Sequence, residues 1–274
     1  MRNIDAKLDC DVMVERIKKF LCGKWLGSTI VYKEEMDSTN VQAKILAQEG
    51  ADDGTVVLTR SQTAGKGRLG RNWISPRGNI YMSIILRPDI HTEYASSVTL
   101  IVALALVKAI QQMTSLDAMI KWPNDIVINR KKTCGILTES SVKQGKIDYI
   151  IVGVGINLNQ RIFDESIKEM ATSLYVESGK KYDEAQLIAT FLKYLEQFYE
   201  SFLETEDLSL VKDIYNERLI NMGKEVRIID KEKEQILIAR GIDEQGRLMV
   251  ENQFGNIEVI AAGEVSVRGL YGYV

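Results

Sequence analysis

The sequence has 274 residues, room for one large domain and one small one. At 45 % apolar and 27 % charged residues it has the composition of an ordinary globular protein, and a net charge of -3 excludes a general nucleic-acid coat, which needs excess Lys and Arg. Cys10, Cys22 and Cys134 show no CxxC spacing and His91 is the single histidine, which excludes a disulfide framework and a Cys/His zinc site.

The opening residues, MRNIDAKLDCD, alternate charge without an apolar run, so no signal peptide is expected there. Residues 12–21 carry Val12, Val14, Ile17, Phe20 and Leu21 at the spacing of a short amphipathic helix. Residues 29–33 alternate like a strand. Val41, Ile45 and Leu46 follow Ser38 and Thr39 at helical spacing, and those two residue types are good helix caps. Residues 55–59 read as a buried strand, 61–72 as a loop of unusual composition, and 79–86 as a strand. Residues 96–113 are rich in Ala and Leu and predict a buried helix. The longest apolar run, 100–107, is too short to span a bilayer, so no membrane is expected; a reducing, cytoplasmic location fits best.

The middle of the chain changes character. Residues 119–122, 126–128, 133–140 and 149–158 are strand-like, with turns at 129–132 and 143–146. Leu187, Phe191, Leu195, Phe198 and Phe202 predict an amphipathic helix, and 208–219 a further one. Beyond Met222-Gly223 five short strands are expected, at 226–229, 236–240, 248–251, 257–260 and 265–268. They read as a small β-barrel-like module, with the boundary near residue 220.

Four segments suggest chemistry. Gly65-Lys66-Gly67-Arg68-Leu69-Gly70-Arg71 holds three glycines and three cations in seven residues. Glycines let a backbone approach a ligand and free its amides for an anion, and the cations match a nucleotide phosphate. A basic surface loop without a ligand is the plainer reading. The loop lacks the spacing of a Walker A motif. Its GxGxxG match is followed by Pro76 and Gly78 rather than by a helix, which excludes a dinucleotide fold. Gly153-Val154-Gly155 fails the same test, because Leu158 stands where the third glycine belongs.

In Lys121-Trp122-Pro123-Asn124-Asp125, the proline should end one strand and start another. Lys can neutralise a phosphate there, and Asp can hold Mg²⁺ or a ribose hydroxyl. A turn with solvated charges is as good a reading. Lys131-Lys132 would ordinarily be a solvated hairpin tip. Asp37-Ser38-Thr39-Asn40 is either a helix cap or a set of small polar groups for a ureido or amide ligand. His91 and Cys134 read as structural, and no nucleophile motif is present.

Taken in order, DSTN (37–40), RSQTAGKGRLGR (60–71), KWPNDIVINRKKTCGIL (121–137) and GVGINLN (153–159) resemble the biotin protein ligase family, the biotin–acetyl-CoA-carboxylase ligases. The resemblance continues through RGIDEQGRLMVE and GEVSVR, covering about residues 29–270. It implies an α+β fold: a mixed-sheet catalytic domain with flanking helices, class II synthetase-like, plus a small SH3-like β-barrel. The implied units are an N-terminal helical extension (1–28), a biotin- and ATP-binding catalytic domain (29–220) and the barrel (221–274).

By the resemblance, Ser38, Thr39, Asn40, Gln62, Lys66, Gly67, Arg68 and Lys132 contact biotin. Arg68, Arg71, Lys121, Asn124, Asp125 and Asn157 surround ATP and the adenylate. Asp125 is the position for Mg²⁺, and Arg68 and Lys132 are the catalytic pair. Counting seven residues on from Asp125 selects Lys132 over Lys131. Position 66 is often Arg in the family; Lys keeps the charge without the bidentate fork. The implied reaction joins biotin to ATP, releases pyrophosphate, and passes biotin from biotinyl-5′-AMP to a lysine of a biotin carboxyl carrier protein. Two anions must meet, so cations and Mg²⁺ are needed and a covalent nucleophile is not.

Members that also repress transcription carry a winged helix-turn-helix ahead of the catalytic domain. Residues 1–28 have room for one helix, so the likeness is to ligase-only members and no specific DNA binding is expected. A homodimer is compatible with the sequence. The alternatives are a lipoate-attaching ligase and a non-catalytic biotin-sensing regulator.

Overall fold

The computed structural model describes residues 12–230, 233–262, 266–269 and 273–274. The expected content of residues 1–11, and the start of the last strand at Val265, lie outside them. Helix α1 spans 12–20 and buries Met13 and Ile17. Strand β1 (Ile30–Met36) pairs in parallel with β2 (Val56–Gln62), and α2 (Thr39–Gln48) connects them. Strand β3 (Ile80–Leu86) follows, then the long α3 (Ser97–Met113). Next come β4 (Met119–Lys121), β5 (Asp125–Ile128), β6 (Lys131–Lys143) and β7 (Lys146–Ile156).

These seven strands form one mixed sheet in the order β1-β2-β3-β7-β6-β5-β4, antiparallel everywhere except β1–β2. Helices α4 (Leu174–Ser178), α5 (Glu184–Thr205) and α6 (Lys212–Glu217) complete this part of the chain. Five short strands follow: β8 (Glu225–Asp230), β9 (Lys233–Ile242), β10 (Leu248–Glu251), β11 (Ile257–Ile260) and β12 (Ser266–Gly269). They make a second, antiparallel sheet in the order β11-β10-β9-β8-β12.

The two faces of the large sheet are treated differently. One packs Val56, Leu58, Met82, Ile84, Val152 and Ile156 on α3 and α5, in the main core. The stretch Thr92–Met113 is long and apolar enough by composition to cross a membrane. Residues 98–107 of it are buried inside the molecule, as a core helix requires. The opposite face is covered by α2 only at one end, where Ala43 and Ala47 meet Val57, Ile85 and Ile151. The remainder of that face is left open to a site.

Two anchors fix the surroundings. Glu196 of α5 accepts backbone N–H bonds from Lys24, Trp25 and Leu26 at 2.7, 3.1 and 3.0 Å, which ties the segment after α1 to the core. The turn ending at Gly246, between β9 and β10, packs against Trp122, Leu100 and Leu208. Trp122 Nε1 donates to the Gly246 carbonyl at 3.0 Å, and the Leu208 amide to that of Glu244 at 2.8 Å. Gly246 adopts φ 77°, and a Cβ there would stand 2.9 Å from Leu100 and from Leu208.

The expected helix over 208–219 is shorter than its periodicity suggests. Asp207 accepts from the amide and hydroxyl of Ser209, a local turn that competes with helix, and α6 begins only at Lys212. The short α4 and the 3₁₀ turn Thr92–Ser96 were not visible in the apolar pattern.

Candidate active site

Ser38 stands at the N-cap of α2, but its side chain makes no cap bond. Asp37 instead accepts the Ser38 amide at 2.6 Å and Gln42 Nε2 at 2.9 Å. Ser38, Thr39 and Asn40 are therefore buried polar residues turned onto the sheet. Gln62 Oε1 accepts from the Thr39 amide at 2.9 Å, and Gln62 Nε2 donates to Ser75 Oγ at 2.9 Å. Ser83, from the middle of β3, lies 2.8 Å from Thr39 Oγ1 and 2.7 Å from Asn40 Oδ1. Asn40 Nδ2 donates to Glu139 at 2.7 Å, so the Asn40 amide is engaged at both ends.

Together with Lys66, Gly67 and Arg68, the residues Ser38, Thr39, Asn40 and Gln62 line a small cavity, with Ser83 behind its wall. Its floor is made by glycines. Gly135 of β6 pairs with Gly155 of β7, and Gly153 pairs with Leu137. A Cβ on Gly155 would stand 2.6 Å from the Trp73 indole, on Gly135 2.7 Å from it, and on Gly153 2.0 Å from Asn40 Oδ1. The Gly153-Val154-Gly155 pair is thus a seat for side chains, not a phosphate loop. Trp73 Nε1 is buried without a hydrogen-bond partner among the described residues.

The glycine-rich loop is folded as a small hairpin over this cavity. The Gly67 amide donates to the Arg71 carbonyl at 2.7 Å and the Trp73 amide to Gly65 at 2.9 Å. Leu69 and Gly70 take φ 56° and 72° at its tip, and Leu69 is exposed there. The hairpin aims Arg68 inward, where Nη1 donates to Asn124 Oδ1 at 2.7 Å. Burial pulls the Arg68 pKa down, and the Asp125 charge opposes that shift. Asn124 is held in turn by donating Nδ2 to the Ile136 carbonyl at 3.0 Å.

Pro123 ends β4 at Lys121, and β5 restarts at Asp125, with a cis bond between Trp122 and Pro123. Facing β5, strand β6 has an irregularity: Ile126 pairs with Cys134 and Val127 with Lys132, so Thr133 is bulged. In a regular strand Lys132 would share the face of Cys134, which is fully buried in the core. The bulge turns it instead to the cavity face, and Lys132 Nζ lies 2.6 Å from Asp125 Oδ1. Lys131 lines neither cavity. Burial works against the Asp125 charge, but Lys132 and Lys121 outweigh it and hold the carboxyl below its ordinary value.

Beyond Arg68 and Lys132 a larger cleft opens between the two sheets. Arg71, Lys121, Asn124, Asp125 and Asn157 line it, with Trp73, Phe163, Met170, Val267 and Tyr273 as apolar and aromatic walls. Asn157 is fixed by donating Nδ2 to the Thr172 carbonyl at 3.0 Å. Among the described residues no group of three or more His, Cys, Asp or Glu side chains could hold a metal ion alone. Asp125 is the carboxylate on the cationic wall.

The structure thus brings the sequence-predicted residues into two adjoining cavities that share Gly67, Arg68, Trp73, Asn124 and Lys132. The sequence reading did not single out Ser83, Trp73, the three floor glycines or Tyr273. Ser83 carried a signal, as a small polar residue inside the apolar run Ile80–Leu86; a lone Trp after a loop carried none.

Comparison with known proteins gives one answer. Residues 32–157 match the biotin/lipoate A/B protein ligase family, and residues 222–268 match the biotin protein ligase C terminal domain. The bifunctional ligase/repressor BirA of Bacillus spizizenii is 38 % identical over 240 residues, 86 % of this chain and 74 % of that protein. The biotin–[acetyl-CoA-carboxylase] ligase of Paracoccus denitrificans is 32 % identical over 238 residues, 85 % of this chain and 98 % of that one. Among solved structures, the biotin protein ligase from Aquifex aeolicus in complex with biotin and ATP superposes with a TM-score of 0.77 at 31 % identity. That match covers 88 % of this chain and 99 % of the Aquifex chain.

Proposed function

The chain belongs to the biotin protein ligase family, and from that membership we propose how its two cavities divide the reaction. The chain is a ligase that uses ATP to attach biotin to protein. The smaller cavity takes biotin. Ser38, Thr39, Asn40 and Gln62 offer paired donors and acceptors to a ureido group, Trp73 and the glycine floor take the apolar rings, and Ser83 behind the cavity wall braces Thr39 and Asn40. The larger cleft takes ATP, with its phosphates toward Lys121, Arg71 and Asn157.

The observation that carries this reading is the junction. Arg68 and Lys132 stand where the two cavities meet, the place where a carboxylate must reach a phosphate. Fixed cations there offset the repulsion between the two anions and stabilise charge developing at the phosphate. The hairpin 65–73 covers the reacting end and excludes water from the mixed anhydride. Mg²⁺ would arrive with the nucleotide and offset phosphate charge; Asp125 is the residue to hold it, since Mg²⁺ commonly takes one carboxylate and completes its shell from phosphates and water.

The acceptor is a lysine of a biotin carboxyl carrier domain, a reading supported by relatives named for acetyl-CoA carboxylase. The family matched at 32–157 includes lipoate ligases, but the match over the second sheet and the relatives from Paracoccus denitrificans and Mycobacterium tuberculosis are named for biotin. The cations at the junction favour an enzyme over a biotin-sensing regulator. We place its work in the cytoplasm, where an acceptor carboxylase is made.

The test is incubation with biotin, Mg-ATP and a purified biotin-carrier domain, followed by mass spectrometry of the carrier. A biotin-sized mass gain on one lysine, undiminished by excess lipoate, is expected. Lipoate attachment, or no modification, would overturn the reading.

A further inference from the structure

After β12, Tyr273 and Val274 lie against the first sheet. The placement is held from both sides. Arg130 Nη2, on the β5–β6 turn, donates to the Val274 carbonyl at 3.3 Å. Gly269 lies so close to Val274 that a Cβ there would stand 2.0 Å from its carbonyl carbon. Between these contacts the Tyr273 hydroxyl donates to Asp125 Oδ2, while Lys132 uses Oδ1. The Tyr273 ring centre stands 3.7 Å from Lys121 Nζ. One side chain therefore rests on two of the residues that face the nucleotide in the reading above.

We propose that Tyr273 is the resident occupant of the phosphate end of the nucleotide cleft, seated on Lys121 and Asp125 and displaced when ATP binds. The inference rests on the ligase reading. A phenol is a suitable placeholder. It satisfies the second oxygen of a buried carboxylate and covers an ammonium with the negative face of its ring, yet carries no charge. Among the described residues of the cleft, Lys121, Lys132, Arg68 and Arg71 stand against Asp125, a surplus of positive charge that a ring does not neutralise and a polyphosphate does. The seat is thus strong enough to be populated without nucleotide and weak enough to be lost to it. The arrangement also keeps Asp125 from being left buried and half-satisfied in the resting enzyme.

An occupant that must leave weakens the apparent affinity of the incoming ligand by the ratio of seated to unseated forms. Removing it strengthens nucleotide binding and leaves biotin binding alone, because Tyr273 does not line the smaller cavity. The experiment is isothermal titration of the full chain with Mg-ATP, and separately with biotin, for the unaltered protein, Tyr273→Ala and Tyr273→Phe. Tyr273→Ala is expected to bind ATP about 3- to 30-fold more tightly, Tyr273→Phe to fall between it and the unaltered protein, and all three to bind biotin alike.

Equal or weaker ATP binding by Tyr273→Ala, with biotin binding intact, would overturn the proposal and leave the ligase reading standing. An unaltered protein that binds neither ligand would overturn both. Should Tyr273→Ala lose its fold, Tyr273→Phe decides, since it keeps the ring and lacks only the hydroxyl: tighter ATP binding supports displacement, and unchanged or weaker binding refutes it.

Discussion

Lys132 is the residue on which the chemistry turns, and Lys132→Ala tests it against its neighbour. Two effects separate in this variant. The first is structural: Lys132 Nζ is 2.6 Å from Asp125 Oδ1, and Asp125 is only 8 % exposed. Breaking a fully buried ion pair from one side costs about 3–5 kcal/mol. Here the Lys132 side chain is 25 % exposed and Lys121 still faces Asp125, so a smaller loss of ~1–3 kcal/mol is expected. The second effect is chemical. Removing one preorganised charge-stabilising group commonly costs roughly 10²–10³-fold in rate. Biotin-dependent pyrophosphate release should fall by that factor in Lys132→Ala. In Lys131→Ala it should change little, because a surface substitution away from such a feature stays within about 0.5 kcal/mol. The double variant Asp125→Asn/Lys132→Ala removes the orphaned charge and should recover melting temperature without recovering rate. Equal rates in Lys131→Ala and Lys132→Ala would refute the reasoning, as would a double variant that regains activity along with stability.

Three further outcomes follow from the site and its surroundings. Gly155→Ala places a methyl group 2.6 Å from Trp73; overpacking of this kind costs about 1–3 kcal/mol, so the biotin dissociation constant should rise roughly 5- to 150-fold by calorimetry, and an unchanged constant would mean Trp73 does not wall the biotin cavity. Arg68→Gly loses the inward cation of the hairpin and a charge-assisted contact worth ~1.5–3 kcal/mol, so stopped-flow release of the adenylate should be roughly 10- to 150-fold faster, with labelling of bystander proteins; retention at the original rate would remove Arg68 from the role of latch. Burial pushes the Glu184 carboxyl up to about 7, and its Oε1 is buried without a partner among the described residues. An unfolded Glu titrates near ~4.3, so this raised group contributes stability that is fully present below that value and lost as pH rises through about 7. Glu184→Gln should therefore melt higher than the unaltered protein by ~2–3 kcal/mol of stability near pH 8 and show no such gain near pH 4; a gain of the same size at both would contradict the assignment.

Much of the fold could be read from periodicity, and the reasons are local. Leu187, Phe191 and Leu195 mark α5 because a helix buries one stripe, and the alternation in 29–33 marks an edge strand with one face on the core. The turn at residues 143–146 and the strand break at Pro123 follow from backbone preferences of single residues. What periodicity could not show is the distribution of faces across strands. Gly135, Gly153 and Gly155 look like breakers in the sequence, yet they pave a floor because three different side chains lie over them. The bulge at Thr133 has no signature in the sequence, although it decides which of two adjacent lysines reaches Asp125. Asn40 reads from its motif as a ligand contact and lines the smaller cavity, but that its amide is also held between Ser83 and Glu139 is visible only in the fold. Tyr273 lies 148 residues from Asp125 in the chain, and only the packing of the second sheet brings them together.

The central claim is that the junction of the two cavities makes an adenylate before any acceptor is present. The most direct measurement is a quenched-flow experiment with biotin and Mg-ATP and no carrier. The account predicts a rapid burst of about one pyrophosphate per chain with biotinyl-5′-AMP retained on the protein, then slow turnover limited by adenylate escape. Pyrophosphate release that appears only when the carrier is added, with no retained adenylate, would contradict it.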